Sequence, residues 1–169
     1  MRQMVRPLQH SDISALLSIQ HVCFPTLPPE SAQSFEMKLE ASPNTCFAYE
    51  QNTELLGYLI SIPWPMTAPP SLNLQTYRPP EPCDGLYLHD LSLLPEARGT
   101  GAGQALISQF MSALEQSDYE QASLIAVQGT APYWEKVGFE VQQPNQVITE
   151  KLKTYGDDAR YMLLNANLI

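Results

Sequence analysis

LYLHDLSLLPEARGTGAGQALISQFMSAL, residues 86–114, decides the fold. Residues 86–94 are apolar and rich in strand formers. Pro95-Glu96 then makes a turn, and Arg98-Gly99-Thr100-Gly101-Ala102-Gly103 makes a loop. A helical pattern follows, with Leu106, Phe110, Ala113 and Leu114 spaced at i, i+4, i+7 and i+8. A glycine loop between a strand and a helix N-terminus suits an anion. Main-chain N–H groups point outward, the helix dipole favours negative charge, and glycine admits a phosphate close to the backbone.

Size and composition narrow the classes. The chain has 169 residues, enough for one domain with a substantial core, and it is expected to form a single domain over residues 1–169. Hydrophobic residues make up 44%, which argues against wholesale disorder. The net charge is -9, and nine Lys+Arg spread thinly make no basic patch, so a nucleic-acid partner is not expected. Acidity of this kind is mainly a solubility feature, although it also favours a cationic small molecule. Cys23, Cys46 and Cys83 are widely spaced, odd in number and without a C-x-x-C, so neither a disulfide framework nor a metal site is indicated. The first twelve residues, MRQMVRPLQHSD, lack a signal-peptide core, and no apolar run approaches the ~20 residues of a membrane span. A cytoplasmic protein without a membrane partner is the expectation.

Outward from the central stretch, residues 2–6 read as a first strand closed by Pro7. Ser11 or Asp12 can cap a helix to about Cys23, with Ile13, Leu16, Leu17 and Ile19 on one side. A second helix over residues 29–41 carries Phe35, Met37 and Leu39. Residues 45–50 and 55–63 read as a hairpin around Gln51-Asn52-Thr53. Residues 64–84 hold six prolines and keep no period. Such a segment is a substrate wall, through Trp64 and Tyr77, or a stiff surface connection. Residues 123–127 read as a strand, 131–137 as a short helix and 138–140 as the start of another strand. Residues 147–149 and 160–165 read as last strands around a turn at Tyr155-Gly156-Asp157-Asp158. A helix between the strands at Leu86 and Ser123 implies a right-handed parallel crossover. The fold class is therefore α/β, with a mixed sheet of six to seven strands, helices on both faces, and a ligand at the carboxyl end of the Leu86 strand.

The loop excludes two phosphate fingerprints. In G-x-G-x-x-G the third glycine would fall at Gln104 or Leu106, and the P-loop lysine is missing. What remains, Arg98-x-x-Gly101-x-Gly103 after an apolar strand, resembles the acetyl-CoA loop of the GNAT superfamily of N-acetyltransferases. Ala131-Pro132-Tyr133-Trp134-Glu135-Lys136-Val137-Gly138-Phe139 is similar to that family's second signature, an aromatic pair followed by E-K-x-G-F. Within the superfamily the chain is most similar to the arylalkylamine N-acetyltransferase-like branch. Residues 34–64 share its helix-then-hairpin pattern ending in a tryptophan, and Tyr87-Leu88-His89-Asp90-Leu91 resembles its H-x-H strand.

The resemblance implies a GNAT-like sheet, acetyl-CoA as co-substrate, no metal, and direct attack by a primary amine on the thioester. The acceptor is then a small molecule of arylalkylamine or polyamine type, and a homodimer is compatible with the family. Diphosphate donors would be the N–H groups of Gly99, Thr100, Gly101, Ala102, Gly103 and Gln104, with Arg98 opening the loop. The pantetheine arm would pair with the strand edge at Leu91, Ser92 and Leu93, and an N–H near Leu91 would meet the oxyanion. His89 matches the branch's second histidine and suits deprotonation of an ammonium. Tyr87 stands at the first, and side chains two apart on a strand share a face, so the two could line one pocket. Histidine in a buried strand can equally be simple packing. The usual acidic tyrosine is replaced by Trp134, whose indole hydrogen-bonds but cannot act as an acid. That leaves adjacent Tyr133, water, or Tyr155 or Tyr161 to protonate the CoA thiolate, and leaves Trp134 to pack beside the CoA arm. The alternatives are acetylation of a protein N-terminus or lysine, and a catalytically silent CoA-binding module.

Overall fold

The computed structural model describes residues 2–166. In chain order the elements are β1 (Gln3–Pro7), α1 (Ile13–Cys23), α2 (Ala32–Ala41), β2 (Cys46–Gln51), β3 (Glu54–Trp64), β4 (Gly85–Leu93), α3 (Ala102–Gln116), β5 (Gln121–Ala126), α4 (Ala131–Val137), β6 (Glu140–Val141), α5 (Gln146–Tyr155) and β7 (Arg160–Asn165). Short 3-10 turns lie at His10–Asp12 and Pro95–Ala97. The strands form one mixed sheet of seven, in the order β1-β2-β3-β4-β5-β7-β6. β4 and β5 are parallel, from Leu86 opposite Ala122 to Leu88 opposite Leu124, with α3 as the crossover a parallel pair requires. The ladders β1–β2, β2–β3, β5–β7 and β6–β7 are antiparallel.

The local reasons are readable in the residues. Asn52 and Thr53 both take positive φ, 54° and 67°, which is the backbone of a two-residue I′ hairpin turn between β2 and β3. Proline is tolerated at the end of β1 because that strand is an edge of the sheet. α2 begins at Ala32, later than the prolines suggest, because the Ser31 side chain accepts the Ser34 N–H at 3.1 Å and caps it there. α4 opens with Pro132 in its first turn and stops at Gly138, whose φ of 124° suits glycine alone.

Two expectations are corrected. Residues 147–149 form no strand but lie in the first turn of α5. The Asn145 side chain accepts the Ile148 N–H at 2.8 Å, and the helix then buries Ile148 and Tyr155 seven residues apart. Cap and buried face together outweigh the β-branched composition of Val147-Ile148-Thr149. Asp12 occupies the N-cap position of α1 without capping it. Its carboxylate instead accepts the Gln9 N–H at 2.8 Å and both ends of the Arg6 fork at 2.8 and 2.9 Å, the planar geometry a guanidinium prefers.

Among the described residues the chain forms two compact units. The first comprises residues 2–62, 73–77 and 89–113, and the second 63–72, 78–88 and 114–166. In the first, Leu16, Ile19, Phe35 and Leu39 of the two helices join Ala48, Tyr58 and Ile60 of β2 and β3 in one core. Phe35 meets Tyr58 edge-on, with centroids 6.0 Å apart. In the second, the proline-rich segment is pinned by side chains. Proline offers no N–H, so the segment cannot join a ladder and its carbonyls need other donors. Tyr161 donates to the Met66 carbonyl at 2.8 Å, Tyr155 to that of Pro70 at 3.0 Å, and Lys151 to that of Pro69 at 3.1 Å.

Gly57 of β3 is a close-approach site. A Cβ there would lie 2.5 Å from the Leu93 side chain and 2.9 Å from the Ser92 carbonyl oxygen. Gly57→Ala is therefore expected to destabilise the protein by ~1–3 kcal/mol through overpacking. Urea unfolding should show a lower midpoint at unchanged slope, and an unmoved midpoint would refute the close approach.

Candidate functional site

The loop after β4 has the backbone that its glycines demand. Gly99 and Gly101 sit at φ of 76° and 88°, in the left-handed region, and a Cβ added at either would meet nothing within 4 Å. It is the backbone angle, not crowding, that calls for glycine at both. Thr100 Oγ1 donates to the Ala97 carbonyl at 2.5 Å and ties the loop to the preceding 3-10 turn. The Ala105 N–H donates to the Gly101 carbonyl at 2.9 Å, so the amides of Ala102, Gly103 and Gln104 precede the helical ladder. Arg98 is folded back: its Nε donates to the Leu93 carbonyl at 3.2 Å, and its guanidinium lies 3.9 Å from Cys23 Sγ.

The end of β4 is laid out by alternation. The Leu94 N–H donates to the Leu56 carbonyl of β3 at 2.8 Å. Main-chain groups alternate sides along a strand, so those of Leu93 and Leu91 face the opposite edge. Ser92 differs from these two. Its side chain is buried and donates to Asp90 at 2.7 Å.

His89 lies in a buried polar cluster of the first unit, and its side chain is only 6% exposed. Its Nε2 is 2.7 Å from Oε1 of Glu30, a residue in the connection between α1 and α2. Lys38 Nζ of α2 reaches the same oxygen at 2.5 Å and Ser34 Oγ at 3.0 Å. Glu30 is 5% and Lys38 1% exposed. Gln20 of α1 clamps the Glu30 backbone, donating to its carbonyl at 2.7 Å and accepting its N–H at 3.0 Å. Asp90, pointing elsewhere, accepts from Tyr58 at 2.5 Å and from Ser92. Burial opposes the charge on Glu30, but the His89 bond and the nearby charges outweigh it and hold its carboxyl down at about 2. Burial pushes Lys38 down against the pull of Glu30, and pushes Asp90 up against its hydrogen bonds. Sequence reasoning missed Glu30 and Lys38. The one available signal was Ser34 and Lys38 at i, i+4 on the face of α2 that also carries buried residues.

The remaining expected residues belong to the second unit. Tyr87 is buried, its Oη 3.5 Å from that of Tyr155. Tyr155 and Tyr161, considered as substitute acids, direct their protons to the carbonyls of Pro70 and Met66, and burial lifts Tyr161 to about 12. Tyr133 is exposed and stands edge-on to Trp134, which is buried and meets Phe139 edge-on. Among the described residues no cluster of His, Cys, Asp and Glu could hold a metal, and no helix is long and apolar enough to cross a membrane.

Comparison with known proteins is consistent with this geometry. The family model described as "Acetyltransferase (GNAT) family" matches residues 13–139. No curated protein sequence matches closely enough to count as a relative. Among solved structures, the loading GNATL domain of CurA from Lyngbya majuscula is similar with a TM-score of 0.80 at 11% identity, covering 100% of both chains. The ribosomal-protein-S18-alanine N-acetyltransferase of Escherichia coli gives 0.67 at 18% identity, over 98% of this chain and 94% of that one. The paia N-acetyltransferase of Thermoplasma acidophilum, in complex with coenzyme A, gives 0.68 at 12% identity, over 98% of this chain and 99% of that one. At these identities the likeness concerns the fold alone.

The cluster carries a pH signature. The Glu30 carboxyl lies below its ordinary 4.5, so its stabilisation is present above that pH and is lost as pH falls towards about 2. Glu30→Gln leaves a buried ammonium unpaired and should cost ~3 kcal/mol at neutral pH. Denaturant titrations of both proteins should converge across that acid window, and a pH-independent gap would contradict the assigned ion pair.

Proposed function

From the premise that this chain belongs to the acetyltransferase (GNAT) family, we propose that it transfers the acetyl group of acetyl-CoA to a primary amine of a small, cationic molecule, an arylalkylamine or polyamine. The observation that carries this reading is His89. A buried carboxylate holds its ring 2.7 Å away, on the strand that runs into the Arg98–Gly103 loop.

The roles follow from the chemistry. An alkylammonium cannot attack until it loses a proton, and His89 accepts that proton directly or through water. The amine nitrogen then bonds to the thioester carbon. The oxyanion that forms is met by the N–H of Leu91, on the edge of β4 turned away from β3. Collapse of the tetrahedral species breaks the carbon–sulfur bond and releases the CoA thiolate. Its proton comes from water or from the exposed Tyr133, because Trp134 has no acidic proton and the phenols of Tyr155 and Tyr161 are engaged with carbonyls. The pantetheine arm pairs along Leu91 and Leu93. The diphosphate rests on the amides of residues 99–104 at the start of α3.

Two features support a small acceptor over a peptide. The net charge of -9 favours a cation. Residues 73–77 also lie against the α1–α2 connection next to Glu30. Asn73 Oδ1 accepts the Ser31 N–H at 2.8 Å, and Gln75 Nε2 donates to Ser31 Oγ at 3.1 Å. A chain already seated there leaves less room for an extended peptide.

Two measurements test the reading. Acetyl-CoA at ~100 times its Kd should stabilise the fold by ~2.7 kcal/mol, and Gly101→Glu should abolish this through bulk and like charge. Absence of any thermal shift with the native chain would remove the reading. In a CoA-release assay across arylalkylamines, polyamines, amino acids and peptides, His89→Ala should lower kcat/KM by ~10²–10⁴ near neutral pH. The loss should shrink at alkaline pH, where unprotonated amine is abundant, and a pH-independent loss would exclude His89 as the base.

A further inference from the structure

Arg98 opens the glycine loop, yet its side chain turns back towards the strand before it. Its Nε donates to the Leu93 carbonyl at 3.2 Å, and its Nη2 lies 3.9 Å from Cys23 Sγ of α1. The Cys23 thiol donates to the same carbonyl at 3.3 Å. A carbonyl oxygen has two lone pairs, so these two donors use the acceptor capacity of the last residue of β4. An acyl-donor arm laid along this edge therefore meets the N–H of Leu93 and not its carbonyl. The backbone between the strand and the loop is tied at successive steps. The Ala97 N–H donates to the Leu94 carbonyl at 2.9 Å, the Arg98 N–H to that of Pro95 at 3.2 Å, and Thr100 Oγ1 to that of Ala97 at 2.5 Å. Those bonds hold the turn together. The Arg98 side chain joins the turn to the strand itself.

We propose that Arg98 is a positioning residue for the acetyl donor: its Nε–H holds the Leu93 carbonyl and thereby sets the course of the turn that aims the amides of residues 99–104. The contribution comes from that N–H and not from the guanidinium charge acting on the diphosphate. The two roles need different atoms. Gripping a diphosphate takes positive charge and a pair of parallel N–H groups. Holding Leu93 takes a single N–H at the position of Nε. Glutamine carries a neutral N–H at the same remove from Cα, whereas lysine has a methylene there and places its charge one atom further on. The inference rests on the reading of this loop as the acetyl-CoA site, but the bond at its centre is measurable without a ligand.

The test crosses charge against donor in the full chain. In ¹⁵N NMR the Arg98 Nε–H signal, assigned by its loss in Arg98→Gln, should exchange with solvent about tenfold more slowly than that of free arginine, the factor for one hydrogen bond from a charged donor. It should keep that protection when acetyl-CoA is added to saturation. In calorimetric titrations Arg98→Gln, with the donor but no charge, should bind acetyl-CoA as the native chain does. Arg98→Lys, with the charge but no donor at Nε, should bind it about tenfold more weakly. In the CoA-release assay this loss should appear in KM for acetyl-CoA, with kcat unchanged. Arg98→Met, which lacks both features, should match Arg98→Lys and serves if the lysine variant does not fold. An unprotected Nε–H, protection lost on adding acetyl-CoA, a glutamine variant as weak as the lysine or methionine one, or variants that all bind as the native chain does would each overturn the proposal and leave the loop as the acetyl-CoA site. A native chain that binds no acetyl-CoA sinks the proposed function instead, and the Nε–H exchange still decides whether Arg98 ties the turn to β4.

Discussion

Burial of the Glu30 carboxylate is a strong constraint on the first unit. An ionised carboxylate loses several kcal/mol of hydration on leaving water, and only close partners offset this. Here they come from two directions in the chain: Lys38 one helix later, and His89 from the distant strand β4. Gln20 fixes the main chain on both sides of the carboxylate through a pair of bonds to its carbonyl and N–H. The α1–α2 connection is therefore not a permissive loop. Its path is set by where a charge can be compensated, and the strand that bears His89 is held by the same oxygen.

β4 assigns different tasks to alternate residues. Asp90 and Ser92 are buried and bond to each other, with Tyr58 completing the acceptor set. The main-chain groups of Leu91 and Leu93 face the edge away from β3. The ladder to β5 spans Leu86–Leu88, whereas β4 itself continues to Leu93. Its last carbonyl, at Leu93, accepts from both Arg98 and Cys23. The arginine that opens the glycine loop is thereby anchored to the strand it follows.

Much of this architecture was legible in the residues, for local reasons. Asn52-Thr53 marked a hairpin, and Gly99, Gly101 and Gly103 marked a loop between a strand and a helix. Pro132 and Gly138 bounded α4 over the span expected from them. The misread elements turn on side-chain bonds that composition does not display. Asn145 caps α5 and overrides a β-branched triplet, while Asp12 gives its carboxylate to Arg6 instead of to a helix. The site divides in the same way. His89 and the loop stood out through their spacing. Glu30 and Lys38 did not, because a glutamate among prolines and a lysine in a helix ordinarily face solvent. Only the tertiary fold brings their charges together.

The proline-rich segment shows the same logic without charge. Prolines cannot pair with a sheet, yet their carbonyls still need donors when buried. Tyr155, Tyr161 and Lys151 supply them. This commitment bears on the chemistry, because two of the three phenols considered as replacements for the missing acidic tyrosine, Tyr155 and Tyr161, hold this segment. A leaving thiolate is a weak base compared with an alkoxide or amide, so its departure does not demand a protein acid. Proton removal from the ammonium does demand a base. In the first unit the buried charges of Glu30 and Lys38 gather beside His89.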